Sequence, residues 1–176
     1  MSVELVRLKK ERVWRWPAVA NFLLGGTGAG FYLLSSVHQL WQAGSHPGAA
    51  GIVSPLLVSL GFLSLTLEAG RPLRGVYLLS NLRNSWMSIE VLSGGLFVFS
   101  ALADRLLPGF ILHAVAACAA MGLIVSHGFI FYRSRAMTAW NLPVMPLIFF
   151  SSALVLGGGL LFIGSALTHE TLKYYT

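Results

Sequence analysis

The sequence predicts an all-α integral membrane protein with about five transmembrane helices and a cytoplasmic N-terminus. Three observations predict it. Of the 176 residues, 56% are apolar and only 10% are charged, and the mean hydropathy is +0.73. A soluble domain carries about 25% charged residues, so this protein lacks the polar surface that a soluble enzyme, a secreted disulfide scaffold or a disordered protein requires. Five segments reach the length of about 20 mostly apolar residues that a spanning helix needs, and period-2 alternation, the mark of a β-barrel, is absent. The basic residues are sorted to alternate ends of those segments.

Helix 1 is expected over residues 17–41. Basic residues precede it as in a signal peptide, but the segment is too long for one and no small-residue cleavage site follows, so it reads as a retained helix. It carries Gly25, Gly26, Gly28 and Gly30. The run does not match G-x-G-x-x-G and no strand precedes it, which argues against a nucleotide loop. Gly26 and Gly30 instead form a small-xxx-small pair suited to close helix packing. Helix 2 is expected over 52–69 and ends at Glu68. The longest loop, about 70–84, contains Gly70, Arg71, Pro72, Leu73 and Arg74. Helix 3, over 85–103, carries Glu90, Gly94 and Gly95. Helix 4, over 110–131, carries His113, Cys118 and His127. Helix 5, over 143–167, begins at a proline pair and carries Gly157 to Gly159. No loop has room for a soluble domain, so residues 1–176 are expected to form a single transmembrane domain.

Orientation follows from the cations. Arg7, Lys9, Lys10, Arg12 and Arg15 precede helix 1; Arg71, Arg74 and Arg83 lie between helices 2 and 3; Arg133 and Arg135 lie between helices 4 and 5. Only Arg105 and Lys173 fall on the other side. The positive-inside rule places the larger group in the cytoplasm. The formal net charge of +6 is therefore a topology signal, and no nucleic-acid partner is expected. Trp14, Trp16, Trp41, Trp86 and Trp140 lie at segment ends, as an interfacial aromatic belt requires.

Ionisable groups inside hydrocarbon are costly and point to function. Asn21, Glu68, Glu90, His127 and Asn141 fall at similar depth near the inner face, one from each helix. An imidazole and a carboxylate there suit a polar head group that exchanges protons, such as a quinone. Structural explanations stand beside this one: Glu68 pairing with Arg71 three residues on, Glu90 pairing with Arg83 or accepting from Ser88, and His127 as a packing histidine. Near the outer face lie His38, Asp104 and His113. His113 and His127, fourteen residues apart, share one helix face, a spacing used for stacked b haems, yet helix 1 offers only His38 as a partner. One haem on His38 and His113 is an alternative. Cys118, among alanines, is expected to be buried and inert. With one cysteine there is no internal disulfide and no cysteine cluster for an iron–sulfur centre.

Four stretches in order carry a family resemblance. They are Trp14-Arg15-Trp16-Pro17 with the glycine-rich run Phe22 to Gly30; Glu68-Ala69-Gly70-Arg71-Pro72-Leu73-Arg74; Asn84-Ser85-Trp86-Met87-Ser88-Ile89-Glu90; and Ala139-Trp140-Asn141-Leu142-Pro143-Val144-Met145-Pro146. Together they resemble the polysulfide reductase membrane subunit family (the NrfD/PsrC group), related to the DMSO reductase membrane anchor. The resemblance implies that the first four helices form a four-helix bundle. It also implies a haem-free subunit that exchanges electrons between a quinone pool (menaquinone or ubiquinone) and an iron–sulfur partner, often joined to a molybdopterin catalytic subunit. Iron–sulfur clusters would reside in the partner subunit alone. The resemblance assigns Asn21 to the head-group site, where some members have His, and matches Arg71, Arg74 and Glu90 to the loop and the helix 3 acid. Ile89 stands where the anchor pattern has Arg. Members usually have two four-helix repeats, so a second copy or another membrane subunit is expected to complete the assembly.

The resulting expectation is a quinone-reactive anchor of a multisubunit oxidoreductase in a bacterial or archaeal cytoplasmic membrane. Asn21, His127 and Glu90 hold the head group, Glu90, Glu68 and His127 relay protons, and Arg71, Arg74 and Arg83 contact a partner docked on the cytoplasmic face. Alternatives are a b-type cytochrome subunit on His38 and His113, or a purely structural anchor with a degenerate site.

Overall fold

The computed structural model describes residues 16–41, 48–68, 85–134 and 141–174, with side chains described up to 67 and 166 in the second and last stretches. Five helices account for nearly all of them: α1 (Trp16–Trp41), α2 (Ala50–Glu68), α3 (Trp86–Leu106), α4 (Phe110–Tyr132) and α5 (Met145–Tyr174). Each contains a stretch long and apolar enough to cross a membrane. The expected segments and the observed helices agree to within a few residues, apart from α5, which continues to Tyr174.

Local chemistry sets the ends that matter for the site. Ser85 caps α3: its backbone is extended and its hydroxyl accepts the Ser88 N–H at 3.4 Å, meeting one of the donors a helix start leaves free. Glu90 is thereby fixed just over one turn inside the helix. Between α3 and α4 lies a tight turn. Pro108 supplies no N–H there, and the Asp104 side chain accepts the Gly109 N–H at 3.1 Å. At the start of α5, Pro146 occupies the first turn, where the missing donor costs nothing.

The first four helices pack in cyclic order, α1 on α2, α2 on α3, α3 on α4 and α4 on α1, and α5 lies outside this bundle in the groove between α1 and α4. The core is apolar and largely small: Ala29, Val58, Ala101, Ala116, Ala119 and Ala120, with Tyr32, Phe97, Leu123 and Ile124 as the large members. Tyr32 meets Phe97 edge-on at 5.2 Å. Lipid tails are as apolar as the core, so docking here relies on close packing. Glycine makes it possible. A Cβ on Gly30 would collide with the Ala153 carbonyl, and one on Gly157 with the backbone of Gly30 and Phe31. The Gly26/Gly30 pair thus fits against Ala153 and Gly157 of α5, as the spacing predicts. Gly94 faces the Phe62 ring, whereas Gly95 and Gly159 meet no neighbour.

Two interfacial tryptophans, Trp16 and Trp41, are exposed at the two ends of α1. Trp86 stacks on Phe129, with ring centroids 4.2 Å apart and a 9° interplanar angle, and the Arg133 guanidinium lies 6.0 Å from its centroid. Trp14 and Trp140 lie outside the described residues. Cys118 corrects an expectation: it is exposed, on a shallow groove between α3 and α4 lined also by Ser93, Leu96, Ala114 and Val115. In a bilayer the outward face of a helix is as apolar as its inward face, so alanine neighbours in sequence do not imply burial.

Candidate functional site

Asn21, Glu90 and His127 come together from three helices at the end of the bundle where α1 begins. Asn21 lies one turn into α1 and donates its amide N–H to Glu90 Oε1 at 2.5 Å. His127, one turn from the end of α4, places Nε2 3.2 Å from the same oxygen. That contact is within ion-pair distance, but its direction does not make a hydrogen bond, and Nε2 is left with no hydrogen-bond partner. All three side chains are buried, Glu90 to 2% exposure. A carboxyl group so fully withdrawn from water persists only with partners, and here both partners converge on one oxygen.

Glycines make room for this cluster. The position of a Cβ on Gly25 lies 3.0 Å from His127 Cε1, and one on Gly61 lies 3.1 Å from Asn21 Oδ1. A ring contact holds the imidazole from another side: Phe22 meets it edge-on at 4.9 Å.

Next to the cluster is a cavity of ≈ 260 Å³ between α1, α4 and α5, walled by Phe22, Ile124, His127, Phe131, Phe149 and Ser152 among others. Val19, Leu23, Ile148 and Leu156, which also line it, are exposed apolar side chains of α1 and α5. Phe131 and Phe149 stack at 4.6 Å, and Phe22 packs against Phe131 at 4.8 Å. Neither Asn21 nor Glu90 is in the cavity wall. The imidazole of His127 therefore stands between the cavity and the carboxylate, with Asn21 behind. An aromatic slot with one imidazole at its edge can take a flat, mostly apolar ring bearing a polar oxygen.

The other expected site residues are distributed as follows. Glu68 is the last residue of α2, and its side chain lies outside the described part. Arg71, Arg74 and Arg83 lie outside the described residues. Asn141 is exposed ahead of α5 and so leaves the expected belt, of which Asn21, Glu90 and His127 are the members that meet among the described side chains. The Ser88 hydroxyl does not serve Glu90; it is buried without a partner. His38 and His113 are not brought together. His113 Nδ1 lies 3.2 Å from the Tyr32 hydroxyl, whereas His38, six residues along α1 from Tyr32, points about 240° away round the helix and lines a different cavity with Gln39 and Ser165. Sequence reasoning missed Ser152 and the three phenylalanines. Nothing in the sequence marks them, since apolar aromatics occur throughout the spanning segments.

Comparison with known proteins agrees with this architecture. The family described as "DMSO reductase anchor subunit (DmsC)" matches residues 10–174. The C subunit of polysulfide reductase from Wolinella succinogenes is 26% identical over 202 aligned residues, which cover 92% of the present protein and 63% of that relative. The protein thus spans less than two thirds of that relative's length. No solved structure matches. The family match runs through all five helices and includes every member of the buried Asn21–Glu90–His127 cluster, and on that basis the protein, whose five helices are each long and apolar enough to cross a membrane, belongs to the DMSO reductase anchor subunit family.

Proposed function

We propose that the protein is the quinone-reactive subunit of a multisubunit oxidoreductase and that its reaction site is the cavity walled by His127. The observation that carries this reading is the pairing of an apolar, aromatic-walled cavity with a buried imidazole in its wall whose Nε2 lies 3.2 Å from the Glu90 carboxylate on the side away from the cavity. An imidazole backed by a carboxylate is suited to exchange a proton with a polar oxygen in the cavity, and the residues present fit a quinone head group.

A bound quinone supplies a two-electron, two-proton couple at a site reached from lipid. The protein's own residues supply the rest. Phe22, Phe131 and Phe149, packed on one another, form an aromatic wall that contacts a flat ring and excludes water. The imidazole of His127 hydrogen-bonds a head-group oxygen and gives or takes a proton there, the usual role of an imidazole in general acid–base chemistry. Glu90, 3.2 Å behind it, exchanges that proton with the ring. Asn21 fixes the carboxylate by its N–H, a bond that is stronger for an ionised acceptor. Ser152, on the α5 side of the cavity, is placed to serve a second oxygen. Glu68 then extends the relay to the aqueous surface. Electrons pass to or from an iron–sulfur partner, with a molybdopterin-type catalytic subunit beyond it, docked on Arg71, Arg74 and Arg83. The charge sorting supports a cytoplasmic orientation of that face, in a bacterial or archaeal cytoplasmic membrane.

Binding of a fluorescent quinol-site inhibitor to membranes that contain the whole complex tests the site. His127→Gln is expected to weaken binding about tenfold, the loss of one hydrogen bond to a charged or polarised partner. Gly25→Ala, which crowds His127 Cε1, is expected to weaken it several-fold without unfolding the protein. Wild-type affinity in both variants rejects the cavity as the site.

A further inference from the structure

A second carboxylate–imidazole pair stands at the opposite end of the same hairpin. Asp104 lies fourteen residues after Glu90 on α3, and His113 lies fourteen residues before His127 on α4. Fourteen residues return a helix to within about 40° of the same face after about 21 Å. Both pairs therefore face α1, which adds a polar side chain to each, Asn21 at one end and Tyr32 at the other. Between them the core is closed by Ala29, Phe97, Ala116, Ala120 and Leu123, so the far cluster can exchange protons only with the aqueous phase on its own side.

The geometry points to a proton-exchange site made of Asp104, His113 and Tyr32. One ring nitrogen has two partners: His113 Nδ1 lies 3.3 Å from Asp104 Oδ2 and 3.2 Å from the Tyr32 hydroxyl. It serves each in a different protonation state. With a proton on Nδ1, the ring donates to the Asp104 carboxylate. With Nδ1 bare, the ring accepts from Tyr32. The other carboxylate oxygen, Oδ1, is held by the Gly109 N–H, which fixes Asp104 while Oδ2 stays free for the exchange. Asp104 is buried, whereas the His113 side chain is 25% exposed.

The step balances. A proton from water binds Nε2 of His113, and the proton on Nδ1 moves to Oδ2 of Asp104. The ring ends neutral with its proton on Nε2, and the Tyr32 hydroxyl donates to the bare Nδ1. The net change is one proton taken from water and one buried negative charge neutralised. Among the described residues, the other titratable groups at this end are few. Arg105, next to Asp104, is exposed, as is His38 on α1, and the described side chains of α2 and α5 include no titratable group here. The site does not depend on the quinone reading, because the inner cluster contains no aspartate.

Asp104 is the only aspartate in the protein, which makes a single-residue test possible. The full-length protein, labelled with carboxyl-13C aspartate and ring-15N histidine and placed in lipid nanodiscs, is titrated by NMR between about pH 4 and 9, a range that spans the ordinary Asp and His values. His113→Gln identifies the His113 signals. The expected result is a carboxyl carbon that becomes protonated in step with a shift of the ring proton from Nδ1 to Nε2. Tyr32→Phe removes the donor that stabilises the proton-loaded state, so the midpoint is expected to fall by roughly half to one pH unit, the worth of one hydrogen bond. The proposal is overturned if Asp104 stays ionised while the ring becomes doubly protonated, which is a plain ion pair. It is equally overturned if neither group titrates, or if Tyr32→Phe leaves the midpoint unchanged.

Discussion

Glu90→Gln is expected to lower quinol-linked electron transfer through the assembled complex by roughly 10²–10⁴-fold, the usual contribution of a positioned acid or base, while the subunit still inserts and assembles. Glutamine has nearly the shape of glutamate, and its amide oxygen can still accept from Asn21, so the packing of α1, α3 and α4 is kept. The ability to bind and release a proton behind His127 is lost. The measurement is the rate at which a quinol analogue reduces the partner's iron–sulfur signal, with subunit content checked in the same membranes. Asn21→Ala provides a graded comparison. It removes one hydrogen bond to the carboxylate but keeps the acid, so a smaller loss is expected, together with a shifted pH profile. Near wild-type turnover in Glu90→Gln would show that protons reach the head group by another route and would remove the carboxylate from the mechanism.

Gly30→Val is expected to have the largest effect on stability, roughly 1–3 kcal/mol or more, as for overpacking elsewhere. The first added carbon collides with the Ala153 carbonyl, which is backbone and cannot rotate away, so α5 must separate from α1. Because the cavity has walls on both helices, inhibitor binding should weaken in the same variant. Gly159→Val is the control: a Cβ there meets nothing within 4 Å, and its melting temperature in detergent should match that of the parent protein. Equal melting temperatures for the two variants would mean that the α1–α5 contact does not hold the fold together.

Much of this was legible in the residues. A bilayer demands about 20 apolar residues per crossing, and this constraint is strong enough to locate five helices from hydropathy alone. The polar residues of the site were legible for the same reason. Asn21, Glu90 and His127 are conspicuous because amide and ionisable side chains are few in their segments, and their distances from the segment ends give their depth. Gly26 and Gly30 announced a close helix contact, although not its partner.

Direction round the helix was not legible. In a soluble protein, polar residues mark the outward face. Here lipid and core are equally apolar, so hydropathy carries no azimuthal signal. Cys118 was therefore expected inside and lies outside, and Asn141 has the right depth but no place in the cluster. His38 and His113, paired on paper as haem ligands, occupy different faces of the bundle. The sequence by itself determined the number of crossings, their limits and the depth of each polar group. The tertiary structure decided which groups meet, that His127 stands between Glu90 and an aromatic cavity, and that Asp104, His113 and Tyr32 share one nitrogen. Depth is set by bilayer thickness, which acts on each helix separately; meeting depends on the rotation of each helix against its neighbours, which close packing fixes only once all five are assembled.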